Sequence, residues 1–367
     1  MIKKLFILLC VCTIVMNIGC GKSKQDEVKK PVIKEWKQVD FINDFFPNDM
    51  IVFNNKFYFA TDKGLFESKD GKDRQIAKID ILKEKKAKIR NLAVNNNMLF
   101  IGTDRGIGML SNTFKFQIMG IVNQILPIES GKLAVLANDG IYIVNNSFKI
   151  EMHFDSENSF FAQYKDNEDI SERLLKVNSG AEFGKYYYFA TDEGLAQVGK
   201  DLQMAKIFFG DYLVPSLSGE LIKHQGNSPL PGNMIKDVKV WNSKILLATN
   251  GGLSIYVPES NNWHNLTSDH YEKTKRGSKW QEILVPGNTD MIGNYVNDIN
   301  VYEDKAFIST NKGLNLLNLK TNKIEKKLLE GSIKFSYLKD DTLFVSSDFD
   351  GLYIFRLQEV IDENSNR

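Results

Sequence analysis

The most constraining feature of this sequence is a phrase that returns seven times. An apolar strand runs into a small residue with Thr and Asp or Asn, and then into Gly followed by an aliphatic residue. It reads Phe57-Tyr58-Phe59-Ala60-Thr61-Asp62-Lys63-Gly64-Leu65 in its first copy and Leu99-Phe100-Ile101-Gly102-Thr103-Asp104-Arg105-Gly106-Ile107 in its second. Further copies end at Gly140-Ile141, Gly194-Leu195, Gly252-Leu253, Gly313-Leu314 and Gly351-Leu352. The glycines lie 42, 34, 54, 58, 61 and 38 residues apart. A period near 40 with occasional insertions predicts propeller blades of four antiparallel strands each.

Local chemistry predicts a tight turn at each phrase. Asp or Asn bonds the backbone two residues on, and Gly accepts a positive φ without penalty. In the sixth unit the strands read as Val296 to Tyr302, Lys305 to Thr310, Gly313 to Leu319 and Lys323 to Leu329. The seventh unit supplies only three, Ile333 to Leu338, Leu343 to Ser347 and Leu352 to Leu357. One strand-like segment is left over, Glu35 to Phe41, ahead of the first unit. Pairing it with Leu352 to Leu357 would complete the last blade and remove exposed strand edges. The expected fold is therefore an all-β, seven-bladed propeller closed by an N-terminal strand.

The repeats resemble the two-component-regulator propeller repeat. The resemblance is carried best by Leu230-Pro231-Gly232-Asn233-Met234-Ile235-Lys236-Asp237-Val238 followed by Lys244 to Leu253. It is carried again by Ile292-Gly293-Asn294-Tyr295-Val296-Asn297-Asp298-Ile299 followed by Lys305 to Leu314. The family's tryptophan ahead of the turn is replaced here by Phe59, Phe100, Val135, Phe189, Leu246, Phe307 and Phe344 or their neighbours. The resemblance implies a sensing propeller outside the cytoplasmic membrane. No kinase, transmembrane or DNA-binding segment reads out of these 367 residues, so that role does not carry over whole.

The first twenty residues are different in kind. Lys3 and Lys4 precede an apolar run from Leu5 to Ile18, too short to span a bilayer and suited to an export signal. Asn17-Ile18-Gly19-Cys20 resembles the bacterial lipoprotein signal, although Asn17 stands where an aliphatic residue is usual. The resemblance implies cleavage before Cys20, lipid on Cys20 and a membrane as partner; an ordinary secretory signal is the alternative. Cys10 and Cys12 would leave with the signal, so nothing would remain for a disulfide, a thiolate metal site or a cysteine nucleophile. The expected organisation is a signal over 1–19, a polar tether over 20–33, the propeller over 34–361 and a short tail over 362–367. With 47 basic and 46 acidic residues the chain lacks the positive excess of a phosphate-binding protein, so no nucleic-acid partner is expected.

The turn carboxylates Asp62, Asp104, Asp192 and Asp348 would share one face with Asn138, Asn250 and Asn311. A calcium ring is conceivable, since hard cations take several oxygen ligands, but the mixture of Asp and Asn suits a turn-forming role. The structural turn positions are thus Asp62, Gly64, Asp104, Gly106, Asp192, Gly194, Gly252, Gly313 and Gly351. No metal or cofactor is expected. Three connections between blades are long, Phe154 to Arg173, Phe209 to Asn233 and Ser268 to Asn294, and each lies on the face of the turns. Long loops on a rigid scaffold are where binding concentrates. They contain Tyr164, Tyr212, His224, His270, Tyr271 and Trp280 as candidate ligand contacts, with an acidic first loop and a basic third. His153 and His264 lie nearby without ligand spacing. The composition favours a non-catalytic module recognising a glycan, a peptide or an envelope protein; a polysaccharide lyase or hydrolase is the alternative.

Overall fold

The computed structural model describes residues 37–38, 46–69, 71, 75–76, 82, 86–155, 157, 173–202, 205–215, 221–276 and 279–361. The expected signal, tether and tail lie outside these residues. Strand β1 (Lys37–Gln38) is followed by a first blade of β2 (Pro47–Phe53), β3 (Lys56–Thr61), β4 (Gly64–Ser68) and β5 (Gln75–Ile76). Blade 2 is β6 (Ile89–Asn95), β7 (Met98–Thr103), β8 (Gly106–Leu110) and β9 (Phe114–Ile118). Blade 3 is β10 (Val122–Pro127), β11 (Leu133–Ala137), β12 (Gly140–Val144) and β13 (Ile150–Phe154). Blade 4 is β14 (Val177–Phe183), β15 (Tyr186–Thr191), β16 (Gly194–Gly199) and β17 (Ala205–Phe208). A two-stranded hairpin, β18 (Tyr212–Pro215) and β19 (Leu221–His224), intervenes before blade 5: β20 (Ile235–Trp241), β21 (Lys244–Thr249), β22 (Gly252–Val257) and β23 (Asn262–Leu266). A second hairpin, β24 (His270–Arg276) and β25 (Lys279–Val285), precedes blade 6: β26 (Val296–Tyr302), β27 (Lys305–Thr310), β28 (Gly313–Asn318) and β29 (Lys323–Glu330). Blade 7 is β30 (Ile333–Lys339), β31 (Thr342–Ser347) and β32 (Leu352–Arg356).

The seventh blade takes its outer strand from the other end of the chain. β1 pairs antiparallel with β32, Lys37 opposite Ile354 and Gln38 opposite Tyr353. The expected closure is therefore present over two described residues of the Glu35 to Phe41 segment. The expected strand through Leu357 stops at Arg356, because helix α1 (Leu357–Ile361) begins there and buries Leu357 and Val360.

Second strands are buried along nearly their whole length, as in Leu133–Ala137, because each blade is sandwiched between two others. This explains why these strands read as apolar runs rather than as alternation. The residues at the family's tryptophan position, Phe59, Phe100, Val135, Phe189, Leu246, Phe307 and Phe344, are all at most 4% exposed. All but Phe307 lie in clusters shared by neighbouring sheets.

First strands meet around the axis, and each carries a β-bulge near its start, as between Pro47 and Asp49 or between Ile235 and Asp237. The residue after the bulge reaches across to the backbone of the next blade. Asp49 accepts from the Leu92 N–H (2.8 Å), Asn91 from Ile125 (2.9 Å), Gln124 from Gly180 (2.6 Å) and Ser179 from Val238 (3.3 Å). Asp237 accepts from Ile299 (3.1 Å) and Asp298 from Ser336 (3.0 Å). This polar belt joins six junctions in one register. At the seventh the equivalent residue is Phe335, packed with Met50, Phe59, Phe66, Phe344 and Leu352. Burial pushes the Asp49 carboxyl up to about 7 despite the N–H donors that oppose the shift. Asp298 is also raised to about 7, by burial and then by the neighbouring Asp237 carboxylate.

Candidate recognition face

Five of the seven turns between second and third strands are built around a threonine. The Thr61 hydroxyl accepts from the Lys63 N–H (3.0 Å) and donates to the Gly64 carbonyl (2.7 Å). Thr103, Thr191, Thr249 and Thr310 repeat both bonds, and Ser347 caps the longer turn of blade 7 through the Phe349 and Asp350 N–H groups. Blade 3 has Ala137 at this place. Glycine is required for two reasons at Gly106 and Gly194. Their φ values are 139° and 132°, and an added Cβ would sit 2.0 Å from the Gln117 carbonyl oxygen or 2.2 Å from that of Phe208. Gly64, Gly252, Gly313 and Gly351 end the corresponding turns of blades 1, 5, 6 and 7.

The turn carboxylates are engaged by protein donors. Asp62 accepts from Asn48 and Lys88, both at 2.9 Å. Burial alone would raise its pKa, but these bonds outweigh burial and hold it below the ordinary carboxylate value. Asp104 accepts from the Lys88 N–H, and Asp192 from Asn178 and Lys236. No group of three His, Cys, Asp or Glu placed to hold a metal ion occurs among the described residues.

These turns share their face with the long connections. The backbone N–H of Asp104, Asp192, Asn250, Asn311 and Asp348 each bonds the carbonyl of a residue just ahead of its blade's first strand. The first long connection falls largely outside the described residues, and Tyr164 with it. The second and third differ from the expected loops: each rises as an antiparallel hairpin, or arm. The alternation that signals a half-buried strand is missing from them, because neither arm lies in a blade.

The two arms stand on the same clip. In the first, Asn227 accepts from the Phe209 N–H (2.9 Å), Asn233 from Gly210 (2.6 Å) and Asp211 from Gly226 (2.9 Å). In the second, Asn288 accepts from the Thr267 N–H (2.9 Å), Asn294 from Ser268 (2.6 Å) and Asp269 from Gly287 (2.7 Å). The amides of Asn227 and Asn288 donate in turn to the Ile207 and Asn265 carbonyls, at 2.8 and 2.7 Å. Two arms of unrelated sequence thus leave the body through one bond pattern.

The candidate ligand residues distribute over both arms instead of forming one cluster. Tyr212 opens the first arm half-buried, its ring edge-on to Phe209 at 6.0 Å, and faces His224 in the strand register. On the second arm the His270 ring lies 3.2 Å from the Ser268 carbonyl and 3.3 Å from the Glu272 carboxylate. Tyr271 pairs with Leu284, and the two are 70% and 54% exposed. Trp280 pairs with Lys275 in the distal half. His153 instead stacks on Tyr142 with ring centroids 3.9 Å apart, and His264 sits in β23 opposite Ile255.

Two hollows escaped the sequence reading. An open cleft of about 510 Å3 lies at the foot of the second arm, lined by Ser268, Asp269, Asn288, Asp290, Lys312 and Lys327 among others. A groove of about 460 Å3 lies between blades 4 and 5, lined by Phe183, Tyr186, Tyr188, Gln197 and Tyr256 with Lys206.

No family model matches the chain, and no curated protein matches it. Solved structures do. The extracellular domain of BT4673 from B. thetaiotaomicron, classed as a one-component system, superposes with a TM-score of 0.62 at 13% identity over 88% of this chain. That of BT3049 from the same organism, classed as a hybrid two-component system, gives 0.61 at 14% identity over 88%. This chain spans 40% of the length of each. BamB from Moraxella catarrhalis gives 0.50 at 11% identity, covering 83% of this chain and 95% of that one. The chain thus has the seven-bladed propeller fold that the extracellular domains of these bacterial regulators contain.

Proposed function

We propose that this protein is a non-catalytic recognition module of the bacterial envelope, anchored by lipid on Cys20, that binds a glycan, a peptide or an envelope protein with its turn face. One observation carries the reading. Two hairpin arms project from adjacent junctions of one face, each mounted on the same Asn/Asp clip and the second exposing Tyr271, Ile283 and Leu284. A two-stranded hairpin gains little stability by itself, so a scaffold that repeats the mounting while varying the arm favours contact over folding. The extracellular placement of the similar regulator domains supports an exported location.

β32 leaves the turn face and β1 runs against it, so the chain enters β1 from the opposite face of the disc.

The test combines localisation with ligand capture. Intact mass should show lipid on Cys20, and Cys20→Ser should leave soluble protein or uncleaved precursor. Glycan-array and envelope pull-down screens of the wild type should yield a ligand. Replacing 271–284 by a short Gly-Ser turn should then abolish capture with little change in melting temperature. Retained affinity in that variant would move the site elsewhere. Turnover of a captured polysaccharide would replace recognition by catalysis.

A further inference from the structure

The cleft at the foot of the second arm has one acidic wall and one basic wall. Asp269 and Asp290 come from the connection between blades 5 and 6, Lys312 from the turn of blade 6 and Lys327 from its outer strand. Among the described residues none of the four has an ion-pair partner within 4 Å, although all line one hollow. Asp269 is held to its wall by the Gly287 N–H.

The neutral polar groups of the cleft are largely spent on the clip. Asn288 uses its carbonyl oxygen on the Thr267 N–H and its amide on the Asn265 carbonyl. The Thr289 hydroxyl accepts from the Met291 N–H at 3.1 Å. Recognition by this cleft therefore falls chiefly on its charges, one sign on each side. An anion would meet the lysines but also the aspartates, and a cation the reverse. A ligand carrying both signs satisfies both walls.

Resting on the reading of the turn face as the recognition face, we propose that this cleft binds a small zwitterion, a molecule with a primary ammonium at one end and a carboxylate or phosphate at the other. Peptides with free termini and ethanolamine phosphate share that chemistry.

The test titrates the purified full chain, by calorimetry or NMR shifts, with triglycine and with phosphoethanolamine. N-acetyl-triglycine amide, acetate and methylammonium serve as controls. Saturable binding of at least one zwitterion, with each control at least tenfold weaker, is the expected result. Which zwitterion is favoured tells a peptide end from a phosphate headgroup. Lys327→Gln and Asp290→Asn should each weaken binding tenfold or more without shifting the melting temperature, since both side chains are exposed. Added salt should weaken it further. No saturable binding of either zwitterion, or equal binding of the uncharged peptide, overturns the proposal. Arm-dependent capture on the glycan array would survive that outcome, so the two readings fail separately.

Discussion

Six junctions between blades and the seventh solve one problem with different physics. At six, a side chain after the bulge accepts a hydrogen bond from the next blade's backbone, which sets register as well as distance. At the seventh, Phe335 after the bulge packs among aromatic neighbours, Tyr337 further along accepts from the Val52 N–H at 3.3 Å, Ser346 donates to the Pro47 carbonyl at 2.9 Å, and β1 supplies the missing outer strand. Packing is non-directional and tolerates small misalignment, whereas a hydrogen bond loses strength steeply as its angle falls. The seam thus departs from the belt pattern and rests more on aromatic packing than the other six junctions do.

The largest expected effect comes from breaking the seam itself. Deleting residues through Phe41 should leave β32 with an open edge, and the protein should lose cooperative melting or aggregate. A truncated chain that melts like the full one would show that β1 adds nothing to closure. Phe344→Ala comes next, because the ring is 2% exposed and touches both Phe57 and Tyr337. Its cost should be about 3–5 kcal/mol in denaturant unfolding, as for other buried phenylalanines.

The belt can be probed through its charges. Asp49 and Asp298 occupy positions where Asn91 and Gln124 make the same bond with a neutral amide. With folded pKa values raised from 3.8 to about 7, these carboxyls bind protons more tightly in the native state. Their contribution is fully present below pH about 4 and is lost as pH rises to about 7. Melting temperature should fall across that window, and Asp298→Asn should flatten the fall and be no less stable at pH 8. An unchanged pH profile in that variant would mean that Asp298 titrates normally. The smallest effect belongs to the clip. Asn294→Ala leaves the N–H of the buried Ser268 unpaired and should cost about 1–2 kcal/mol, with the arm exchanging its amide hydrogens faster than the blades.

How much of this was legible follows from what is local in sequence. The turn phrase and the apolar runs of second strands are contiguous, so blade number and the strands of blade 6 could be read to within a residue. The closing strand was legible by counting. The belt was not, because its position is filled by Asp, Asn, Gln, Ser and Phe, which share a place in the ring and little chemistry. The arms were hidden by composition: Glu272-Lys273-Thr274-Lys275-Arg276 alternates nothing. The clip joins Asn288 and Asn294 to residues some twenty positions earlier, a pairing visible only once the hairpin folds the chain back. The cleft depends on Lys312 and Lys327 arriving from a turn and the outer strand of another blade.

The pairing of Lys37 with Ile354 also sets an order in time. The strand that completes the last blade is made ahead of every blade, and its partner follows six complete blades. Until residue 356 is in place the circle has no second end to grip, so every shorter nascent chain is an open arc with an unpaired outer edge. Long-range pairing of this kind is slow to form. The step that locks the disc therefore waits for the final blade.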